Sequence, residues 1–482
     1  MAAVENVSSI CLIRLLVARM AASVRANALD GCDERLSTTF FTRFRDLVLV
    51  FALALPFLGQ LLPYGIPIFL PVTLLALGLA LMCRGWRLGM LDLKVPVNGF
   101  TLAVALVLAS VFYGMALSQR VDGSLFGEAA NAIGVLLLYF AVTNAVESRG
   151  HREMLLRKLM ALLLAVAVIA AILGIIKFVL FLGGQRIAYF ADTETGEYPF
   201  GTSLINDYNL FALSLLCGIA IALGHVFTAR RVLTYLAAAL VCCLLVVAGF
   251  FAGSRRFWVV TPVVILLITA LGVRARGPMG ALPRLMSIAA VVAALLFIAI
   301  QFAGDLDLFY LSNASRRLEV RLLSLLDADR AGGFDQRLIR WDFAWAMADG
   351  FSAWVGQGFD YLHAFSCRFG GCVGIDYPHN PFLSALLYAG VFGVLAVGLL
   401  LFHAMCSALR LLWGRPVEAL AGVLLLIHLP FILVSSNTIL SVKSFLVSAL
   451  LCNLHAGRVR PLSAVEDVDP AVTSMSIDAR SR

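Results

Sequence analysis

Positions 206–252 read NDYNLFALSLLCGIAIALGHVFTARRVLTYLAAALVCCLLVVAGFFA, and this segment alone indicates the class of protein. It contains two apolar runs, 206–226 and 233–252, which are separated by a short loop with Arg230 and Arg231. Each run has about 20 residues, which is the length that an α-helix needs to cross the hydrocarbon core of a bilayer. The segment therefore predicts two transmembrane helices joined by a basic loop.

The composition extends this pattern to the whole chain. Of 482 residues, 61% are hydrophobic and 14% are charged, and the mean hydropathy is +0.94. Soluble domains are only about half apolar and about a quarter charged. The sequence thus excludes an ordinary soluble enzyme and predicts an all-α polytopic membrane protein with about 12 transmembrane helices. The predicted spans are 47–62, 66–82, 99–117, 131–145, 154–182, 206–226, 233–252, 259–273, 285–303, 380–408, 417–434 and 438–453.

The distribution of basic residues predicts the orientation. With the N-terminus inside, 24 of the 37 Lys and Arg residues fall in or next to inner segments and 11 fall in outer loops. Cytoplasmic loops are enriched in these residues, so both termini are predicted to be cytoplasmic. The net charge of +8 then reflects membrane topology, and no basic domain predicts binding to nucleic acid.

The spans divide the chain into five parts. Residues 1–45 are predicted to be a cytoplasmic segment with an interfacial amphipathic helix, because apolar residues recur there at helical spacing between arginines; a true start at Met20 is the alternative interpretation. The remaining parts are spans 1–9 at 46–303, a large periplasmic loop at 304–378, spans 10–12 at 379–455 and a disordered tail at 456–482. Helical patterns at 315–326 and 335–348 predict that the loop is a small folded domain.

Two adjacent arginines oppose the charge bias. Arg255 and Arg256 lie in the predicted short outer turn between spans seven and eight, 253–258. A charge kept at the membrane edge against the topological preference suggests a function, and arginine binds phosphate through a planar fork. Snorkelling onto lipid head groups is the alternative explanation.

A second polar group, His379 and Asn380, stands where the long loop re-enters the membrane. Histidine can take a proton from an attacking hydroxyl, and asparagine can orient a sugar or the imidazole, although both residues also cap helices. Arg186 and Arg340 are the other outer arginines singled out as candidate substrate-binding residues.

Two of the ten cysteines, Cys367 and Cys372, lie in the outer loop. Their spacing across a flexible turn, in an oxidising compartment, is compatible with a disulfide, and two free thiols are the alternative. The acidic pairs at 305–307 and 327–329 are expected by chance, so the sequence predicts no metal and no cofactor.

The motifs occur in an order that resembles the O-antigen ligase and polymerase superfamily of bacterial envelope glycosyltransferases. The resemblance spans roughly 186–402 and is carried by five features in chain order. They are Gly253-Ser254-Arg255, Arg340-Trp341, Gly356-Gln357-Gly358, His379-Asn380-Pro381-Phe382-Leu383, and Gly390 with Gly393. The sequence departs from that family at Arg256, where glycine is common, and at 205–207, which often reads Asn-Pro-Asn.

The resemblance implies a GT-C-like membrane fold that acts on the periplasmic face of the bacterial inner membrane. The donor would be a glycan on undecaprenyl diphosphate, and the acceptor would be a hydroxyl of the lipid A core or of another glycan. By this analogy His379 would be the general base of an inverting, metal-independent transfer. Arg186, Arg255 and Arg340 would then bind the diphosphate, with Arg256 as the alternative to Arg255.

Other functions remain open on sequence alone. Within the superfamily, a polymerase or a protein-glycosylating enzyme would differ from a ligase only in the acceptor, and the span count and loop layout favour the ligase. Outside it, a transporter could have the same topology, but no internal repeat and no acid at the midplane of a span is evident. A non-enzymatic binder or flippase would need the arginines but not His379. The oligomeric state is not indicated.

Overall fold

The computed structural model describes residues 33–60, 68–88, 94–146, 148–182, 208–252, 254–277, 279–280, 282–284, 286, 334–372, 375–434 and 437–454. These residues form helices and connecting turns without a strand, which confirms the predicted all-α fold. The α-helices are α1 (Asp33–Ala54), α2 (Phe69–Leu88), α3 (Gly99–Leu117), α4 (Gly123–Ala145), α5 (Arg149–Leu182), α6 (Tyr208–Thr228), α7 (Val232–Phe251), α8 (Arg255–Arg276), α9 (Phe334–Met347), α10 (Ser352–Val355), α11 (Tyr361–Phe369), α12 (Pro381–Leu412), α13 (Pro416–Leu433) and α14 (Lys443–Asn453).

Eight of the described helices, α3 to α8, α12 and α13, are long and apolar enough to cross a membrane. Two shorter apolar helices, Phe69–Gly85 and Lys443–Asn453, correspond to predicted spans two and twelve. The first predicted span coincides with the end of α1 and the 3-10 helix Leu55–Gln60. The ninth predicted span, 285–303, lies outside the described residues except for position 286. The predicted N-terminal amphipathic helix, loop residues 304–333 and the C-terminal tail also lie outside them.

Several helices begin at other positions than predicted, and for α4 the reason is a polar cap. Asp122 accepts a hydrogen bond from the N–H of Ser124 at 3.0 Å, so α4 starts at Gly123 and not near 131. The predicted turn at 253–258 is shorter than expected, since α8 already begins at Arg255. Lys443, expected about five residues inside the last span, is the first residue of α14.

Of the eight span-length helices that the structure describes, α6 is the most enclosed, and it contacts α5, α7, α8 and α13. Its side chains are apolar on nearly all faces and are mostly buried, as expected for a helix surrounded by others. A second group packs α2 against α4 and α3 against α12, and α13 contacts both α6 and α12. We call the end of this bundle marked by Ser118, Ser254 and Asn380 the upper end, and the end marked by Arg152 and Glu418 the lower end.

Ion pairs hold the lower end together. The buried carboxylate of Glu418 lies 3.1 Å from Arg152 and 3.5 Å from Arg149, which joins α13 to α5. Asp46 of α1 lies 3.1 Å from His151 and also pairs with Arg45. Buried carboxylates are tolerated when cations compensate their charge in this way.

Arginines also cap helix ends at the lower end. Arg276 donates hydrogen bonds to the carbonyls of Thr228 at 2.9 Å and Ala229 at 3.1 Å, at the end of α6. Arg274 donates to the carbonyls of Leu412 and Trp413 at the end of α12, at 2.9 and 2.7 Å. Cations at helix C-termini satisfy open carbonyls and interact favourably with the helix dipole.

Residues 334–372, which we call the upper segment, form α9, α10 and α11. The predicted helix at 335–348 coincides with α9, whereas α10 and α11 were not predicted. Phe343 of α9 packs edge-on against Phe365 and Phe369 of α11, with ring centroids 5.0 and 5.5 Å apart. These aromatic contacts join α9 to α11 within the upper segment, and the prediction of a folded domain over the whole loop 304–378 stays a prediction.

The upper segment is fastened to the bundle at the end of α3. The N–H of Phe359 donates to the hydroxyl of Ser118 at 2.6 Å, and the Phe359 ring stacks on Tyr388 of α12 at 4.7 Å. The carboxylate of Asp360 accepts hydrogen bonds from the N–H groups of Gln119 and Arg120, at 2.9 and 3.0 Å. These contacts fix the upper segment over α3 and α12.

Candidate active site

His379 lies in the short connection between the upper segment and α12. Its backbone φ of +57° falls in the left-handed region, which residues other than glycine rarely adopt. The next residue, Asn380, caps α12 by accepting hydrogen bonds from the N–H groups of Phe382 and Leu383, at 3.0 and 3.3 Å. The cap fixes the start of α12, and the His379 side chain remains 31% exposed there.

Asp376, which the sequence analysis missed, joins two of the predicted residues. One oxygen, Oδ2, accepts a hydrogen bond from Nη2 of Arg340 at 2.9 Å. The other, Oδ1, lies 3.7 Å from Nε2 of His379 and accepts the N–H of Tyr377 at 2.8 Å. A single carboxylate therefore faces both Arg340 and His379. Its position three residues before His379 is the only sequence signal that could have suggested it.

Two consecutive residues of α9 hold the segment that carries His379. Arg340 bonds Asp376, and the indole N–H of Trp341 donates to the carbonyl of Pro378 at 2.9 Å. The rings of Tyr377 and His379 are also in contact, with centroids 4.4 Å apart. The imidazole is thus placed by contacts from α9 and from its own segment.

The start of α8 forms another part of the upper end. Ser254 is buried, and its hydroxyl donates to Oδ1 of Asn209 in α6 at 3.1 Å. Arg255 and Arg256 are the first two residues of α8. The Arg256 guanidinium lies 5.5 Å from the centroid of Phe431 and 3.5 Å from the carbonyl oxygen of Val434, both at the end of α13. The side chain of Arg255 lies outside the described part of the structure.

The structure brings some of the predicted residues together. Arg340, His379 and Asn380 form one cluster, while Arg255 and Arg256 begin α8, which packs against α6 and α13, and Arg186 lies outside the described residues. The side-chain oxygen of Asn380 is used by the helix cap, so its predicted contact with substrate stays a prediction.

Cys367 and Cys372 are joined by a disulfide at the end of α11. The carbonyl of Ser366 accepts hydrogen bonds from the N–H groups of Gly370 and Cys372, at 2.7 and 3.0 Å, so the chain folds back to close the small ring. The ring ends the upper segment just before the connection to His379.

Residues 238–398 match the family model described as O-Antigen ligase. This region is similar to the O-antigen ligase domain, and we refer to it by that name. The match confirms the predicted resemblance to the O-antigen ligase and polymerase superfamily and suggests a glycosyltransferase-like membrane enzyme. No curated protein is significantly similar to the chain.

The O-antigen ligase domain contains α8, the upper segment and the first half of α12. Arg255, Arg256, Arg340, Asp376 and His379 all lie within it. Among the residues that the structure describes, no group of three or more His, Cys, Asp or Glu could hold a metal ion. The acidic pairs at 305–307 and 327–329 belong to the domain but lie outside the described residues.

The sequence analysis also missed a second polar group, which joins Tyr361 of the O-antigen ligase domain and Asn437 to Thr438 and Glu128. Glu128, which the sequence analysis placed in a loop, lies in the second turn of α4 and accepts a hydrogen bond from the hydroxyl of Thr438. Tyr361 at the start of α11 donates its phenol proton to Oδ1 of the neighbouring Asn437. Burial raises the pKa of Tyr361 well above its usual value, and the nearby carboxyl of Glu128 adds to that increase. Ionisable groups inside span-length helices are costly and often functional.

Proposed function

We propose that the chain is an O-antigen ligase that moves a glycan from undecaprenyl diphosphate to a sugar hydroxyl of the lipid A core, on the periplasmic face of the inner membrane. The observation that carries the proposal is the position of His379. It lies beside Asp376, two residues before the span-length helix α12, inside the O-antigen ligase domain. A histidine so placed suits a reaction between a membrane-bound donor and a large acceptor.

His379 is the general base in this proposal. The acceptor oxygen attacks the anomeric carbon, its proton passes to the imidazole, and the bond from that carbon to the diphosphate oxygen breaks. The electron pair of that bond leaves with the diphosphate, and the configuration of the sugar is inverted. General base catalysis by a positioned histidine typically contributes about 10²- to 10⁴-fold to the rate.

Arg255 stabilises the leaving diphosphate in this proposal. It is the first residue of α8, where backbone N–H groups and the helix dipole also favour an anion. Arg256 contacts Val434 and Phe431 of α13, which supports Arg255 as the main ligand and Arg256 as a neighbour that adds positive charge. Arg186 is expected to contribute a further contact. A diphosphate is already an activated leaving group, so positioning and charge stabilisation by arginines suffice and no metal is required.

The charge distribution supports a periplasmic site. Most described basic side chains lie at the lower end, where Arg149, Arg152, Arg274, Arg276 and Arg415 form ion pairs and helix caps. The positive-inside rule then assigns the lower end to the cytoplasm and the upper end to the periplasm. Both termini are cytoplasmic in this arrangement.

The proposal is tested by transfer with the purified full-length chain, a radiolabelled glycan on undecaprenyl diphosphate and lipid A core, in the presence of EDTA. We expect the wild type to transfer, and His379→Ala and Arg255→Ala to lose at least about 100-fold of kcat/KM. His363→Ala and Arg368→Ala are matched controls, because both residues are exposed on α11, and they should keep their activity.

The products separate the alternatives. Transfer to lipid A core supports the ligase, whereas growth of chains on the lipid donor would make the protein a polymerase with the same base and arginines. Movement of the donor across proteoliposome membranes without any transfer would support a transporter or flippase and overturn the proposal. Full transfer by His379→Ala would remove the general base from the mechanism.

A further inference from the structure

We propose that Asp376 is the positioning carboxylate of His379, and that Arg340 acts through Asp376 and not on the donor diphosphate. The inference rests on the function proposed above, because it assigns how the general base of that reaction is held. It gives Arg340 a different role from the diphosphate contact that the sequence predicted.

The first argument is the way in which Asp376 is shared. Its two oxygens are divided between Arg340, at 2.9 Å, and the imidazole of His379, at 3.7 Å. The distance to His379 is slightly longer than a hydrogen bond, and catalytic contacts of this kind commonly shorten when substrate binds. The bond to Arg340 holds the carboxylate at that position.

The second argument concerns the guanidinium of Arg340, which is already engaged on its edge and on its face. Its edge bonds Asp376, and its face covers the ring of Phe369, with 4.8 Å between the guanidinium carbon and the ring centroid. The side chain is only 17% exposed. A diphosphate that approached Nη2 of Arg340 would have to compete with Asp376 for that nitrogen.

The third argument is the local backbone. His379 has a left-handed φ, so helical hydrogen bonding does not fix its segment, and contacts from outside must do so. Arg340 and Trp341 supply those contacts to Asp376 and Pro378 from a single turn of α9. Both anchors fall within the three residues that precede His379.

The chemical consequence follows from charge. When His379 takes the acceptor proton it becomes an imidazolium, and the negative charge of Asp376 stabilises that form. Among the side chains that the structure describes, the carboxylate of Asp376 lies beside the imidazole, Arg340 bonds that carboxylate, and Tyr377 contacts the imidazole ring. Groups that orient a reacting histidine in this way are commonly worth about 10- to 100-fold in activity.

The kinetic test uses Asp376→Asn and Arg340→Ala in the full-length chain, with saturating acceptor and varied donor. We expect kcat to fall by about 10- to 100-fold in both variants, while KM for the lipid donor changes by less than about two-fold. Arg340→Lys and Asp376→Glu should recover part of the loss. Asp342→Asn, at an exposed carboxylate on the same helix, is the matched control and should resemble the wild type.

The double variant distinguishes one unit from two independent contacts. If Arg340 acts through Asp376, the double variant should be no slower than the slower single variant, because the same interaction is lost once. A higher donor KM with unchanged kcat in Arg340→Ala would overturn the proposal and return Arg340 to diphosphate binding. Multiplicative losses in the double variant would also overturn it.

A measurement without turnover keeps this inference separate from the proposed function. Diethylpyrocarbonate modifies neutral imidazole, and mass spectrometry of the His379 peptide gives the midpoint of its pH dependence. Loss of the carboxylate charge disfavours the imidazolium, so Asp376→Asn should move the midpoint to lower pH by about half a unit to one unit. An unchanged midpoint would refute the role of Asp376, whatever the transfer assay shows. A shifted midpoint in a chain without transfer activity would support the dyad while the proposed function fails.

Discussion

The backbone N–H of Gln357 donates to the carbonyl of Leu387 at 2.7 Å, so the turn of the upper segment bonds directly to the interior of α12. The bond is possible because α12 departs from helical geometry at Gly390, where φ is +60° and ψ is −149°. A helical carbonyl is normally occupied by the N–H four residues later, and the break makes this one accessible. The glycines at 356 and 390 were noted in the sequence, but their contact depends on the fold.

Gly390→Ala should destabilise the chain and loosen the upper segment. An added Cβ would lie 2.2 Å from the carbonyl oxygen of Trp354, and the left-handed φ penalises any side chain. We expect a loss of about 2 kcal/mol or more in unfolding free energy, measured by thermal unfolding in detergent. Gly398→Ala in the same helix is the control, because its Cβ would meet nothing closer than 3.9 Å. Equal melting temperatures for the two variants would contradict the account.

The disulfide between Cys367 and Cys372 predicts protection from thiol reagents. In intact membranes without reductant, maleimide should leave both residues unlabelled, and mild reduction should expose both. Mass spectrometry of the α11 peptide is the measurement. Ready labelling of either cysteine before reduction would show two free thiols instead. Since the closed loop is short, replacing both cysteines by serine should cost at most about 2 kcal/mol of stability.

Glu418→Gln should weaken the lower end without affecting the chemistry at His379. Glu418 and Arg152 are 3% and 13% exposed, and removing one charge of such a pair leaves the other without compensation. We expect a loss on the order of 3 kcal/mol in stability, with kcat of the folded fraction unchanged. Glu153→Gln is the control, because its partners Arg157 and Arg415 are 69% and 53% exposed, and it should cost less than about 1 kcal/mol. A lower kcat for Glu418→Gln at full folding would argue against this separation.

Tyr361→Phe should change the response of stability to alkaline pH. Burial holds the pKa of Tyr361 above its unfolded value of about 10. Because the folded pKa is raised, the protonated phenol contributes to stability. That contribution is complete below the unfolded pKa and is lost as pH rises through the folded pKa. The variant should therefore be about 1 kcal/mol less stable at pH 8, through the lost bond to Asn437, but should lose less stability above pH 10.

Thermal unfolding at pH 8 and at pH 10.5 to 11 measures both effects of Tyr361→Phe. Tyr113→Phe, at an exposed phenol, serves as the comparison and should follow the wild type at both pH values. Parallel loss of stability in Tyr361→Phe and the wild type above pH 10 would contradict the role of this phenol.

The proposed topology predicts the behaviour of reporter fusions. Alkaline phosphatase fused after Gly371 at the upper end should be active, and the same enzyme fused after Gly414 at the lower end should be inactive. Green fluorescent protein at the C-terminus should fluoresce. The reverse pattern would place His379 in the cytoplasm and exclude a periplasmic donor.

The positions of the membrane-spanning helices could be predicted because the cause is local. Each span needs about 20 apolar residues in a row, and every residue contributes to transfer into the bilayer nearly independently of its neighbours in space. The starts of α4 and α8 were predicted less accurately. The start of α4 depends on a single cap by Asp122, and Ser254 before α8 bonds Asn209 of another helix. His379 could be singled out as a candidate because a histidine beside an asparagine and a proline is conspicuous at a loop boundary.

The sequence by itself determined a polytopic helical membrane protein that resembles the O-antigen ligase and polymerase superfamily, and it predicted that His379 and the arginine pair lie on one side of the membrane. Only the tertiary structure decided which side chains meet: Asp376 bonds Arg340, 36 positions away, and Thr438 bonds Glu128, 310 positions away. Apolar length is a property of a segment and can be read along the chain. A hydrogen bond or ion pair requires two groups within a few ångströms, and helix packing alone sets that distance.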